Sequence, residues 1–494
     1  MRLRHLLATV PFLLGAPSVT TACSSSSSSA ADAATTEPDG ATPDASHTDG
    51  ARRDAGHVDG GASDASTGDA PTADAVASGS SDAVADVPIV VRGDGGAASA
   101  IQHVVLIVQE NHTFDNYFGR YCTAATGSAP TCTTGPACCE AAPAADPTGA
   151  SPQALDDSTN GSYNPFHTAA CETPEIDQGK MDRYVTGVPL CSNAANFAYA
   201  DGVAAATYWA LAGQGALADR YFQPVIGASS SNDMYFARAG FVFKDNAYEP
   251  DAKGQSCQGG ASKSYTDKTI ADLLLEAGAT FGVYAQGYAA SVAAAPACPA
   301  PTTGCPAGVT TYPCTYDPGD IPFEYYTSLH DNPAFMKDFA QLSTDLGQGD
   351  LPAFSFVKAI GFLTEHPGQG DTVSGGEAFV QSVVSAIGSS TYAASTLILV
   401  TWDESGGYFD HIAPPPTSTV DHQDYGPRLP LLALGPFAKK NGVSHVTMEH
   451  SSIVKFLEWN WLGKQTGQLG TRDAVVHNLG SLLDPAATGV TVPD

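Results

Sequence analysis

Two places in the chain put acids directly after an apolar run. Val104 to Gly119 reads VVLIVQENHTFDNYFG, in which Glu110 and Asn111 follow the run. Thr396 to Glu404 reads TLILVTWDE and stops on Asp403 and Glu404. Runs without polar alternation fit strands buried on both faces, the pattern of a parallel sheet. Such sheets bind ligands beyond the carboxyl ends of their strands. Two such ends at one edge would gather three carboxylates and a carboxamide. Like charges that close are costly unless a positive charge sits among them. Oxygen donors of this kind suit a hard divalent cation. The competing expectation is that each acid only caps a helix N-terminus; the pair of strand ends favours the cation.

A third segment, VIGASSSNDMYFARAG from Val225 to Gly240, sets Ser229, Ser230 and Ser231 between an apolar run and a helical pattern. A hydroxyl there sits where backbone N–H groups can hold an anion. A neighbouring cation would lower its pKa and make it a nucleophile. Residue type separates neither the three serines from one another nor any of them from a capped turn. His366 lies in LTEHPGQGD, His411 in GGYFDHIAPP just after the second acid pair, and His167 in NPFHTAAC. Each could move a proton. A lone loop histidine is more often solvated or structural, and His112 and His422 have no stronger claim.

These residues need a scaffold, and the apolar pattern supplies one from about Ile101. KTIADLLLEAGATFGVYAQGY predicts a helix, a Gly turn and a strand over Phe281–Ala285. GGEAFVQSVVSAIG predicts the helix before the second acid-tipped strand, and RLPLLALGPF a further strand. SSIVKFLEWNWLG predicts a C-terminal helix capped by Ser451 or Ser452. Strands alternating with helices predict an α/β fold, a mostly parallel central sheet with helices on both faces. The stretches 120–200 and 245–320 are rich in cysteine and predict disulfide-stapled loop insertions.

The N-terminus, MRLRHLLATVPFLLGAPSVTTAC, has basic residues, an apolar run and small residues before Cys23. That is an export-signal pattern over 1–23, and its place makes Cys23 a candidate lipid-bearing cysteine. Ordinary cleavage and full secretion is the alternative. Residues 24–98 are mostly Ser, Ala, Asp, Thr, Gly and Pro, with Asp recurring every fifth position from Asp39 to Asp74. Such a segment cannot bury enough surface to order itself and predicts a disordered acidic linker. The folded domain is expected over 99–494. The net charge of -30 argues against nucleic acid as a partner. Of 11 cysteines, ten remain after Cys23, an even number that fits disulfides in an exported chain. Cys138 and Cys139 are adjacent and predict different partners; connectivity is otherwise open.

The motifs together carry a resemblance. VVLIVQENHTFDNYFG, QGKMDRYV, ALADRYF, GASSSN, EHP, LILVTWDESGGYFDHIAPP and GPRLPLLALGPFAKKNGVSH occur in the order of the bacterial phospholipase C and acid phosphatase phosphoesterase family, a branch of the alkaline-phosphatase-like superfamily. The resemblance spans about 101–465 and implies hydrolysis of phosphate esters through a hydroxyl nucleophile and a metal ion of unknown identity. By that similarity Glu110, Asn111, Asp403, Glu404 and Ser229 form the metal site. Ser229 is the nucleophile of the turn that carries Gly-Pro-Thr or Gly-Pro-Ser in the family. His366 and His167 serve the phosphoryl group, and His411 matches the histidine after the acid strand. The chain departs from the family at Ala228, where Pro is usual, and at His112 and Thr113, where Arg and Ser are usual. It also lacks the DHSW context around the earlier histidine. The implied substrate is a phospholipid head group or a phosphomonoester, and the implied location the cell surface, periplasm or exterior. Two alternatives compete. One is a sulfatase-like hydrolase, whose Cys-x-Pro-x-Arg motif the sequence lacks. The other is an inactive surface lipoprotein that keeps the fold for binding.

Overall fold

The structure, a computed structural model, describes residues 96–305 and 309–494. The expected export signal over 1–23 and nearly all of the expected linker lie outside the described residues. Among those described, no helix is long and apolar enough to cross a membrane.

A nine-stranded sheet forms the centre. Its strands are β1 (His103–Gln109), β2 (Ala216–Phe222), β3 (Phe281–Ala285), β4 (Met336–Asp338), β5 (Phe354–Lys358), β6 (Thr396–Trp402), β7 (Arg428–Leu434), β8 (Gly442–Ser444) and β9 (Met448–Glu449). They lie in the order β8-β2-β7-β6-β1-β5-β3-β4, with β9 beside the end of β2. β7 runs antiparallel to both neighbours and every other pairing is parallel, so the mostly parallel expectation holds. The carboxyl ends of β1, β2, β5 and β6 therefore share one edge with the amino end of β7.

Both faces are covered, by the helices α1 (Phe114–Phe118), α2 (Ala169–Ile176), α3 (Ala206–Gln214), α4 (Ser229–Arg238), α5 (Ile270–Glu276), α6 (Val373–Gly388) and α7 (His450–Trp461) among others. Successive strand residues point to opposite faces, and β1 shows why it had to be apolar throughout. Val104, Leu106 and Val108 enter a core with Phe236 of α4 and Leu457 of α7. Val105 and Ile107 enter another with Phe118 of α1 and Val380 of α6. The strand expected over Phe281–Ala285 has those bounds. The last helix corrects the sequence reading: Glu449, not Ser451 or Ser452, is its N-cap and accepts from Ser451 N at 2.7 Å. Ser452 instead receives the Glu449 N–H, completing a capping box one turn earlier.

The ten cysteines form five disulfides: Cys122–Cys139, Cys132–Cys138, Cys171–Cys191, Cys257–Cys298 and Cys305–Cys314. Cys138 and Cys139 do take different partners. All five lie in the two expected insertions, where loops and short helices have little sheet to anchor them.

At the amino end of β7 an ion cluster ties α1 and the loop after β6 to the sheet. Arg428 is fully buried and bonds Asp410 through Nε at 3.1 Å and Asp115 through Nη2 at 2.9 Å. Its guanidinium also lies 4.1 Å from the Phe114 ring centre. Removing one member of such a cluster strands buried charge. Arg428→Met is expected to cost about 3–5 kcal/mol of folding stability, read by urea titration. An unchanged midpoint would show that the cluster does not hold the edge together.

Candidate functional site

β1 and β6 are adjacent and parallel, with Gln109 paired to Trp402. The register puts Glu110 beside Asp403 and Asn111 beside Glu404, so the two acid-tipped ends meet as expected. The Asn111 amide donates to Glu404 Oε1 at 2.5 Å, and Glu404 Oε2 accepts from Gly406 N at 2.6 Å. Gly406 has a φ of 66°, and a side chain there would collide with the Asn111 carbonyl, so the close turn needs glycine. Asp403 is wholly buried, and neither of its carboxylate oxygens has a hydrogen-bond partner. Asn111 Oδ1 is buried and unpartnered too. Burial, then the charge of Glu110, pushes Asp403 well above an ordinary carboxylate, and burial, then the charge of Asp403, does the same to Glu404.

Ser229 opens α4 after the turn that follows the carboxyl end of β2. Its hydroxyl lies 3.5 Å from Asn111 Nδ2. The structure thereby separates Ser229 from Ser231: Ser231 donates its hydroxyl to Ala228 O at 2.7 Å, while Ser229 lies against Asn111. Ser229 is 4% exposed. Glu172 of α2 braces the turn from behind, accepting from Gly227 N at 2.8 Å and from Gln223 Nε2 at 3.0 Å.

Two of the three expected histidines reach the site. His167 Nε2 lies 3.8 Å from Glu404 Oε1, and the His167 and His366 rings pack edge to face with centres 5.7 Å apart. Burial, then the neighbouring His366, pull His167 down to about 4, and burial also lowers His366. His411 is the correction. Its Nδ1 lies 2.8 Å from Asp115 Oδ2, its Nε2 is 3.6 Å from Glu140, and no hydrogen bond or ion pair joins it to the acid pairs or Ser229. The loop after Asp403 turns it back onto α1. Asp115, Asp410 and His411 are close enough to ligate an ion, but Arg428 and the N–H groups of Asp115, His411 and Ile412 already satisfy the two carboxylates.

Several residues here escaped the sequence reading. Lys358 ends β5 beside β1 and forms an ion pair with Glu110 Oε1. Burial alone would discharge it; Glu110, Asp320, Asp233 and Asp403 hold its pKa above the ordinary lysine value. Glu110 is correspondingly lowered, because Lys358 and His366 outweigh its burial. Asp233 of α4 is buried with both oxygens unpartnered, and burial pushes it up to about 8. Lys358 had a signal: FSFVK is another apolar run ending on a charge. Asp233 had none, sitting mid-helix.

Glu365 positions His366. It is wholly buried with a φ of 73°, and accepts from Tyr117, Tyr208 and Trp402 Nε1. Burial pushes it up to about 8.

The donor set is tested by its loose ends. Asp403 and Asn111 Oδ1 offer unused lone pairs, and Glu110 and Glu404 each keep acceptor capacity beyond the bonds they make. Buried oxygen acceptors in this number fit a hard divalent cation.

Comparison with known proteins agrees on the family. The model of the Phosphoesterase family matches residues 101–462. The chain is 24% identical to the non-hemolytic phospholipase C of Burkholderia pseudomallei over 74% of its own length and 55% of that protein, so it spans about half of that relative. It is also 24% identical to phospholipase C B of Mycobacterium tuberculosis, over 81% of this chain and 82% of that one. Among solved structures, an alkaline phosphatase superfamily protein from Vibrio parahaemolyticus is 11% identical over 81% of this chain and 77% of its own, with a TM-score of 0.34.

The raised Glu365 carries a pH signature. Its stabilisation is full below the ordinary value of 4.5 and is lost as pH rises through about 8. Urea titrations of the wild type and Glu365→Gln from pH 5 to 9 should show the wild type losing on the order of 2–4 kcal/mol more than the variant. Parallel curves would mean that Glu365 is ionised in the fold.

Proposed function

Because the chain belongs to the Phosphoesterase family, we propose that it hydrolyses phosphate esters at this site, with Ser229 as nucleophile and a divalent cation as cofactor. The observation that carries the reading is the wholly buried, unpartnered Asp403 carboxylate beside Asn111, whose amide also reaches Ser229. Asn111, Asp403, Glu404 and Glu110 would hold the cation, with Ser229 beside them. When bound, it supplies positive charge that acidifies the serine hydroxyl and offsets charge on the phosphoryl oxygens.

The chain's own groups do the rest. Ser229 Oγ gives its proton to the neutral His167–His366 pair and bonds to phosphorus as the ester P–O bond breaks, roughly in line. The departing alcohol takes a proton from the His167–His366 pair at the site. Both imidazoles are drawn toward their neutral forms in the free site, and an arriving anionic phosphoryl group favours protonation. Water then attacks the phosphoserine and frees the serine. Lys358 keeps Glu110 ionised and adds a fixed cation to the field. His411 has no part in these steps. The paired cysteines and the export pattern support an exported enzyme, and Cys23 gives the pattern of a lipoprotein. Glu110, Asn111, Ser229, Asp403 and Glu404 are all present, which weighs against the inactive surface lipoprotein.

The test is turnover by the purified chain of p-nitrophenyl phosphate and p-nitrophenyl phosphorylcholine. Ser229→Ala should lower kcat by about 10³-fold or more, and chelation should abolish turnover until a divalent cation is restored. Turnover that survives both would refute the nucleophile and the cofactor. No turnover of either ester by the metal-supplied chain would favour the binding protein.

A further inference from the structure

Two helices that carry the chemistry begin without a cap of their own. α2 opens at Ala169, two residues after His167, and α4 opens at Ser229. Neither N-cap residue, Thr168 or Ala228, makes the side-chain hydrogen bond that commonly closes a first turn. The N–H groups at such ends need acceptors from elsewhere.

A dipeptide in the loop after α4 supplies them. Asp245 Oδ1 accepts from Ala169 N at 2.8 Å and from Ala228 N at 3.1 Å. Asn246 Oδ1 accepts from Ser230 N at 2.9 Å. One carboxylate oxygen therefore holds the backbone just after His167 and just before Ser229. Glu172 also joins α2 to this turn, at Gly227 N, one residue further from Ser229.

The backbone is shaped for this contact. Gly227 has a φ of 135°, and a Cβ there would fall 2.6 Å from Asp245 Oδ1. Asp245 takes a left-handed φ of 52°, which Asp and Asn adopt more readily than most residues. Ala228 is extended, with φ -73° and ψ 169°. A proline ring would fix that φ; here a hydrogen bond to Asp245 holds the residue instead.

We propose that Asp245 is a positioning residue, whose Oδ1 sets the separation of Ser229 from His167 and so the proton transfer from the serine. Asp245 itself touches no reacting atom. The proposal rests on the phosphoesterase reading and adds to it the residue that registers nucleophile and base.

The test measures kcat and KM on the better of p-nitrophenyl phosphate and p-nitrophenyl phosphorylcholine, with divalent cation supplied, beside the urea midpoint of each variant. Asp245→Asn keeps an acceptor at Oδ1 and should hold kcat within about threefold of the wild type. Asp245→Gly keeps the left-handed backbone, removes the acceptor and should lower kcat by about 30-fold, with KM moved by less than about threefold. Ala228→Pro alone places its Cδ where the N–H now points, against Asp245 Oδ1, and should also lower kcat. In the Asp245→Gly chain the same proline meets no oxygen, fixes the turn and should recover about tenfold in kcat.

Wild-type kcat in Asp245→Gly or in Ala228→Pro overturns the positioning role and leaves the phosphoesterase reading standing. So does Asp245→Asn as slow as Asp245→Gly, or a double variant no faster than Asp245→Gly. A loss of urea stability with kcat intact likewise makes Asp245 merely structural. If Asp245→Gly does not fold, Ala228→Pro decides, since it displaces the same oxygen and leaves the carboxylate in the chain. A wild type inactive on both esters removes the phosphoesterase reading and this inference with it.

Discussion

Buried carboxylates at adjoining strand ends must be neutralised, and most of the molecule's design follows from that. The parallel register of β1 and β6 makes Glu110 a neighbour of Asp403 and Asn111 a neighbour of Glu404. Alone, the three acids would repel one another in a medium that screens little. For these acids the chain supplies an internal cation, Lys358, at the end of the next strand. Glu110 claims it, and Asp403 is left without a partner. The imbalance sits beside the Ser229 hydroxyl, where an added cation would do chemical work.

The same edge holds a second acid cluster with the opposite outcome. Asp115 and Asp410 are as buried as Asp403, but Arg428 and backbone N–H groups satisfy them. Residue type alone does not separate these clusters; the count of unmet lone pairs does. A satisfied network fixes α1 and the loop after β6, while an unsatisfied one is poised for a ligand. The aromatic cradle of Tyr117, Tyr208 and Trp402 around Glu365 is a third arrangement, in which burial raises the acid and hydrogen bonds hold it in place. That cradle sets the backbone from which His366 reaches the site.

What the sequence discloses depends on how local the signal is. The acid-tipped strands were legible because each apolar run and its acids are contiguous, and a parallel sheet must place such ends at one edge. Ser229 was legible only through the order of motifs, since three adjacent serines share one composition and only geometry turns Ser231 back to Ala228. Lys358 follows the same strand-end rule, but one lysine after FSFV, a short run broken by Ser355, carries little signal. His411 was carried by the motif match alone, and in the fold two glycines let its loop reverse toward Asp115. Asp245 had no local signature. It comes from the loop after α4, and only the folded chain brings it against both Ala169 and Ala228. The disulfide pairing was closed to sequence for the same reason.

The central claim is that the strand ends form a cation site completed by Asp403. Calorimetric titration of a divalent cation into the chelator-treated chain tests it most directly, with Asp403→Asn measured alongside. The account predicts saturable binding by the wild type and its loss in the variant, with both chains folded by circular dichroism. Equal binding by the two, or none by the wild type, would contradict it.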